Sequence, residues 1–126
     1  MDYKKAFNEL YKEAKEKFNI QQQPKLILRN DKKNAKMTFG QTAYYEPGSQ
    51  TIVIFITDRH PKDILRSFCH ELIHHVQNER GDLDVGGNNF NPKYAQEDEH
   101  MRKMEMEAYL KGNLLLRDFE DNFKYQ

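Results

Sequence analysis

The sequence predicts an α+β fold, with helices at both ends of the chain and a small sheet between them. Residues 2–18, 61–80 and 96–121 carry apolar side chains every three or four positions, the spacing of amphipathic helices. Residues 25–57 instead contain short apolar stretches separated by turn-forming residues, which indicates strands. We therefore expect an N-terminal helix, a small three-stranded, mainly antiparallel sheet and two further helices.

Size and composition fit one domain spanning residues 1–126, because no Pro-, Gly- or Ser-rich linker divides the chain. Twenty Lys and Arg balance twenty Asp and Glu, so no net charge favours nucleic acid or an anionic membrane as a partner. The longest apolar stretch, Ile52–Ile56, is too short to span a bilayer. A single cysteine and an N-terminus unlike a signal peptide favour the cytoplasm. The oligomeric state is not predicted.

The first half of the chain predicts one helix and three strands. The helical spacing of residues 2–18 ends at the Gln-rich segment before Pro24, and residues 25–29 then indicate a short strand followed by a turn at 30–33. Residues 36–45 alternate in polarity, as a half-buried strand requires. Residues 51–57 are β-branched and apolar on both faces, which favours an interior strand. We expect the three strands to form an antiparallel meander.

The second half of the chain predicts two helices joined by a loop. Pro61 favours a helix start, with Thr57 or Asp58 nearby for capping, and Gly81 favours its end. Residues 81–92 are rich in Gly and Asn and predict a flexible loop. The last helix should span about residues 96–121, loosened at Gly112.

The helix after Pro61 carries the motif His70-Glu71-Leu72-Ile73-His74. Two histidines four residues apart project from the same face of a helix and can bind one metal ion together. Glu71 stands beside the first histidine, where its carboxylate can take a proton from a water molecule at the metal without being a ligand. The motif therefore predicts a zinc site with His70 and His74 as ligands and Glu71 as general base.

A catalytic zinc usually takes three protein ligands, so a third must come from elsewhere in the chain. Gln77 and Arg80 stand where a metzincin motif would have Gly and His, and Cys69 is badly placed to act as a ligand of the deformylase type. The last helix offers glutamates beside an inward apolar face formed by Met101, Leu115 and the pair Met104 and Ala108. We place Glu107 between these two and expect it to be the third ligand; the alternatives that stay open are Glu105 and His100.

With these motifs the chain resembles the minimal gluzincins, the SprT-like, ImmA-like and minigluzincin group of small HExxH peptidases, and more weakly the small metallopeptidases encoded by tailed phages. The resemblance lies in the strand hairpin at residues 40–56, the HExxH helix and the Glu107-Ala108 pair on the last helix. It implies a zincin-like fold with an active-site helix and a C-terminal glutamate helix. It also implies a zinc-dependent endopeptidase that binds an extended polypeptide along a sheet edge, in the host cytoplasm or a virion if the chain is phage-encoded. Lys111 and Tyr109 stand where gluzincins carry the residue that orients a histidine, so the partners of the zinc ligands are not predicted.

Two other classes of function stay open. The zinc could be structural, with His100 as a fourth ligand, or the domain could bind peptides as a regulatory or virion-associated protein without cleaving them. Glu71 argues against the second alternative, since binding alone needs no general base. Candidate donors to the reacting carbonyl oxygen are Tyr44, Tyr45 and Tyr94. His75 points away from the pair and is expected to be partly packed or exposed.

Overall fold

A computed structural model describes residues 3–37, 41–83 and 99–124. This part of the chain has the predicted α+β composition, with four helices and a three-stranded sheet. The described helices include no segment with the length and hydropathy that a bilayer-spanning helix requires. The elements in chain order are α1 (Tyr3–Phe18), β1 (Lys25–Arg29), α2 (Lys32–Lys36), β2 (Ala43–Glu46), β3 (Thr51–Phe55), α3 (Pro61–Glu79) and α4 (Glu99–Lys124).

The sheet is mixed, and the expected antiparallel meander is wrong. Its strand order is β1-β3-β2, with β2 antiparallel and β1 parallel to β3. The prediction that β3 is an interior strand is confirmed, since Ile52, Val53 and Ile54 are all buried. In a meander of three consecutive strands β2 would be central. The expected meander and the expected interior position of β3 therefore excluded each other. In the observed order β3 is the central strand, with β2 along one edge and β1 along the other.

Two local features in the first half differ from prediction. The expected turn at residues 30–33 is the start of the short helix α2, whose first turn is capped by Asp31 accepting a hydrogen bond from the Asn34 backbone N–H at 3.0 Å. The strand expected from residue 36 begins only at Ala43, and residues 38–40 lie outside the described part of the chain. Asp31 thus starts a short helix where a turn was expected.

Helix α3 begins and ends close to the predicted residues, but its cap differs. His60 is the N-cap, and its Nδ1 accepts a hydrogen bond from the Lys62 backbone N–H at 3.1 Å; neither Thr57 nor Asp58 takes this role. Gly81 follows the helix with a φ of 84°, a conformation that glycine adopts without strain. The predicted loop after it lies almost entirely outside the described residues.

The core forms where α1, α3, α4 and the sheet meet. Phe7 of α1 packs on Phe68 of α3, with ring centroids 4.6 Å apart, and Leu115 of α4 is fully buried in the same cluster. β2 and β3 both pack against α3. The Arg59 guanidinium ties the sheet to this helix by donating to the Phe55 carbonyl at 2.8 Å and to Ser67 Oγ at 2.8 Å. The HExxH segment is therefore held on both sides, by the sheet and by α4.

Candidate metal centre

The two motif histidines lie one turn apart on α3, as their spacing predicts. Their ring centroids are 4.9 Å apart with the planes at 81° to one another. One ligand atom each from His70, Glu71 and His74 lies within 4.8 Å of the others. His74 is buried at 1% exposure, whereas His70 is partly open to solvent. The three side chains thus form a group at metal-binding distance, open on the side of His70.

A carboxylate from α4 reaches both imidazoles. The Oε2 atom of Glu105 lies 3.2 Å from His70 Nε2, and its Oε1 atom lies 3.0 Å from His74 Nε2. Two ligands of a tetrahedral zinc, each roughly 2.0–2.1 Å from the ion, are separated by about 3.3 Å. Each imidazole nitrogen and the Glu105 oxygen next to it are therefore separated by nearly the distance between two ligands of one zinc ion.

Glu107 does not lie at the histidines, contrary to our expectation. Its carboxylate accepts hydrogen bonds from Arg80 at 2.6 Å, from Lys111 at 2.7 Å and from the Gln77 amide at 2.8 Å. The Arg80 hydrogen bonds are the main cause that lowers the pKa of Glu107 to about 2. The position that we expected for Glu107 is taken by Glu105.

The correction has a simple geometric reason. The inward face of α4 was identified correctly, since Met101, Ala108 and Leu115 are buried. An α-helix turns by about 100° per residue, so Glu105 lies about 40° from Met101 around the helix and Glu107 about 120°. Glu107 is therefore not between Met104 and Ala108, as we had placed it, but on the flank of the helix.

The residues present fit a zinc ion on a second ground. Glu71 is buried at 6% exposure, and its Oε2 atom has no hydrogen-bond partner among the described residues. A buried carboxylate oxygen without a partner is costly, and a nearby cation or a water molecule held by one removes that cost. Two imidazoles and a carboxylate are also ligand types that zinc prefers.

Electrostatics couple these groups. Burial raises the pKa of Glu71, although the nearby His74 and His70 oppose this. Burial alone would lower the pKa of His74, but Glu105 and Glu71 outweigh it and raise the pKa. Burial acts against ionisation of Glu105 too, yet the hydrogen bonds to the two imidazoles lower its pKa to about 2. In the metal-free protein Glu105 is therefore ionised and favours a proton on His74. Zinc must displace this proton when it binds.

The remaining histidines lie apart from this group. His75 is fully buried, contrary to expectation, with Nδ1 2.7 Å from Tyr45 Oη and Nε2 2.7 Å from the Gln22 carbonyl. It thereby joins the loop before β1 to the core. His100 Nε2 lies 2.7 Å from the Asp82 carbonyl, which commits this nitrogen to the backbone rather than to the metal centre.

A cavity of about 220 Å³ lies beside His70 and Glu71. The start of β2 and the side chains of Ser67 and Tyr109 are part of its wall. Tyr109 was not among the tyrosines that we named from the sequence as candidate donors to the reacting carbonyl oxygen. Its position four residues after Glu105, on the same side of α4, is the signal that could have identified it.

The three tyrosines named from the sequence lie elsewhere or outside the described residues. The Tyr45 hydroxyl is hydrogen-bonded to His75, Tyr44 packs near Phe55, and Tyr94 lies outside the described residues.

Helix α4 runs without interruption through Gly112, where we had expected loosening. A Cβ atom at this position would lie 3.1 Å from both the Cα and the backbone nitrogen of His70. Gly112 therefore lets the backbones of α3 and α4 approach closely at the first motif histidine. It stands seven residues after Glu105, on the same side of α4, so this approach also sets how far the Glu105 carboxylate reaches.

Gly112→Ala should push α4 away from α3 and so move the Glu105 carboxylate away from the histidines. We expect zinc binding to weaken by about tenfold, because disturbing residues around a metal typically lowers its affinity by this much or more. Metal-free stability should change little, because the better helix propensity of alanine, about 1 kcal/mol, offsets part of the crowding. Zinc competition with a chelator and urea unfolding measure the two effects. Gly48→Ala is the matched control, since nothing lies within 4 Å of a Cβ at that position. Equal zinc affinity in both variants would contradict the role given to Gly112.

Comparison with protein-family models finds no match for this chain. Searches against curated proteins and against solved structures likewise find no significant match. The resemblance to gluzincins therefore rests on the residues named above, and the functional argument rests on the geometry of the metal centre.

Proposed function

We propose that this protein is a zinc-dependent metallopeptidase that hydrolyses peptide bonds. One observation carries the proposal: the two HExxH imidazoles and the Glu105 carboxylate converge beside the buried carboxylate of Glu71. A structural zinc site would be closed by a fourth protein ligand. Among the described residues the group offers three candidate ligands plus a glutamate suited to proton transfer, and the partly exposed His70 leaves one side of it accessible.

In this proposal His70, His74 and Glu105 hold the zinc ion. Zinc when bound supplies a Lewis acid, which polarises the scissile carbonyl and makes water more acidic. Glu71 accepts the proton of the attacking water and passes it to the leaving amine. Its burial keeps the carboxylate free of competing solvent, and a cation beside it opposes the rise in pKa that burial causes.

The proposed substrate is an extended polypeptide. In the described sheet β2 pairs only with β3, so its other edge is available for an added strand. Thr42 and Ala43, at the start of β2, line the cavity together with His70 and Glu71. A peptide lying along β2 would therefore place a side chain in this cavity with its backbone beside Glu71.

The purified protein should carry about one zinc ion per chain, because the three ligands match the coordination preferences of zinc. Elemental analysis measures this directly. His70→Ala and His74→Ala should each lose the metal, whereas His75→Ala should lower stability without removing the metal-binding atoms. A wild-type protein that neither contains zinc nor binds added zinc would overturn the proposal.

Hydrolysis itself is tested by incubating the zinc-loaded protein with a panel of denatured proteins and identifying new termini by mass spectrometry. Cleavage that disappears after zinc removal and returns on its addition supports the proposal. A zinc-loaded protein that cleaves none of the panel would favour the alternative of a non-catalytic zinc-binding protein.

A further inference from the structure

Gln77, three residues after the second motif histidine, is a buried amide whose oxygen and nitrogen both have partners next to the metal centre. It is fully buried at 0% exposure. Its Oε1 atom lies 2.8 Å from His74 Nδ1, and its Nε2 atom donates to the Met104 carbonyl at 2.9 Å and to Glu107 at 2.8 Å. A buried amide whose oxygen and nitrogen are both hydrogen-bonded cannot turn without breaking these bonds, so its orientation is fixed.

These contacts decide which way the Gln77 amide faces. Both partners of Nε2, a backbone carbonyl and a carboxylate, are acceptors, so the NH₂ group must point to them. The oxygen then faces His74, and an oxygen can only accept a hydrogen bond. His74 must therefore carry a proton on Nδ1. On the other side of the ring Nε2 faces Glu105, and once zinc displaces the proton that Glu105 favours there, Nε2 presents its lone pair to the metal centre.

Glu107 holds the Gln77 amide in place on the side away from His74. Glu107 accepts from Gln77 on one side and from Arg80 and Lys111 on the other. Because Arg80 and Lys111 neutralise its charge, Glu107 stays ionised and keeps accepting from the amide. The glutamate that we had expected at the metal thus reaches it through Gln77 and His74.

We infer that Gln77 is a positioning residue for the metal centre, which fixes the His74 imidazole in the tautomer that binds zinc, and that Glu107 holds Gln77 in place. This assigns the orienting partner that the gluzincin-like positions Tyr109 and Lys111 do not supply. The inference rests on the zinc-binding part of the proposed function and is independent of whether the protein cleaves peptides.

The test compares zinc affinity, His74 tautomer and stability in matched variants. Gln77→Met keeps the length of the side chain but removes the acceptor, and should weaken zinc binding roughly 10- to 100-fold. Asn78→Ala is the control, because Asn78 is a neighbouring partly buried amide whose Nδ2 donates to Tyr45 Oη and the Pro47 carbonyl and not to a zinc ligand. It should lower the urea midpoint without changing zinc affinity. Chelator competition measures the affinity.

The tautomer gives a readout that a merely structural role would not change. Long-range ¹H–¹⁵N NMR of the metal-free protein should show a proton on His74 Nδ1 that exchanges slowly with water, whether or not Nε2 also carries the proton that Glu105 favours. In Gln77→Met this Nδ1 proton should exchange faster or give way to a ring protonated on Nε2 alone. Wild-type His74 without a proton on Nδ1, or Gln77→Met with an unchanged Nδ1 proton and unchanged zinc affinity, would overturn the inference.

If Gln77→Met does not fold, exchanging the amide and the carboxylate between residues 77 and 107 gives a second test. Gln77→Glu alone places two carboxylates against each other at residues 77 and 107 and should weaken zinc binding. Adding Glu107→Gln restores a donor facing an acceptor and should recover most of the lost affinity; no recovery would count against the inference. If the wild-type protein binds no zinc, the proposed function fails, while the tautomer measurement still decides whether Gln77 orients His74.

Discussion

Glu105→Ala should nearly abolish zinc binding, with a loss greater than the roughly 10- to 100-fold typical of removing a partner outside the ligand shell. The reason is that Glu105 places one oxygen near each motif imidazole, and its removal leaves two neutral nitrogens as the only ligands. Chelator competition at fixed pH measures the affinity. Glu105→Gln, which keeps the shape but not the charge, should show a smaller loss than Glu105→Ala.

Glu107→Ala is the matched comparison on the same helix. It should weaken zinc binding much less than Glu105→Ala, because Glu107 contacts Gln77, Arg80 and Lys111 and acts on the metal centre only through Gln77. The reverse order, with Glu107→Ala the more damaging change, would show that α4 is rotated from the structure described and that our first assignment from the sequence was correct.

Glu71→Gln should reduce peptide hydrolysis by about 10²- to 10⁴-fold, the usual contribution of a general base, while the protein keeps its zinc. Glutamine has the same shape but cannot accept the proton of the attacking water. Hydrolysis of a cleaved panel protein and elemental analysis of the same sample measure both properties. Loss of zinc in this variant would show that Glu71 is a ligand and not a base.

The same substitution has an expected effect on metal-free stability. Burial raises the pKa of Glu71 above its ordinary value of 4.5, so folding favours the protonated form. Above that ordinary value the ionised carboxylate lowers the free energy of unfolding, and this penalty disappears as the pH falls and the unfolded chain takes up the proton. Glu71→Gln should therefore be more stable than wild type at neutral pH, and urea unfolding should show the gain fading towards pH 4.5.

Much of the fold follows from periodicity alone. Helices α1 and α3 lie almost where the spacing of their apolar residues predicts them, and Met101, Ala108 and Leu115 are buried as expected. Such patterns are reliable because a long amphipathic segment has one way to bury its apolar face. Strand order was not predictable in this way, because β1 and β2 each pair with β3, and their own sequences do not specify which side or direction they take.

The HExxH pair follows from local spacing, since an i,i+4 separation on a helix brings His70 and His74 together whatever the rest of the chain does. The residues around the pair depend instead on how the helices pack. Which glutamate of α4 reaches the imidazoles depends on the rotation of that helix against α3, and this rotation is set by contacts distant in sequence, among them Gly112 against the His70 backbone. Glu105 and Gln77 could be assigned only once the two helices were packed, because a difference of two residues turns a side chain by about 200° around the helix axis.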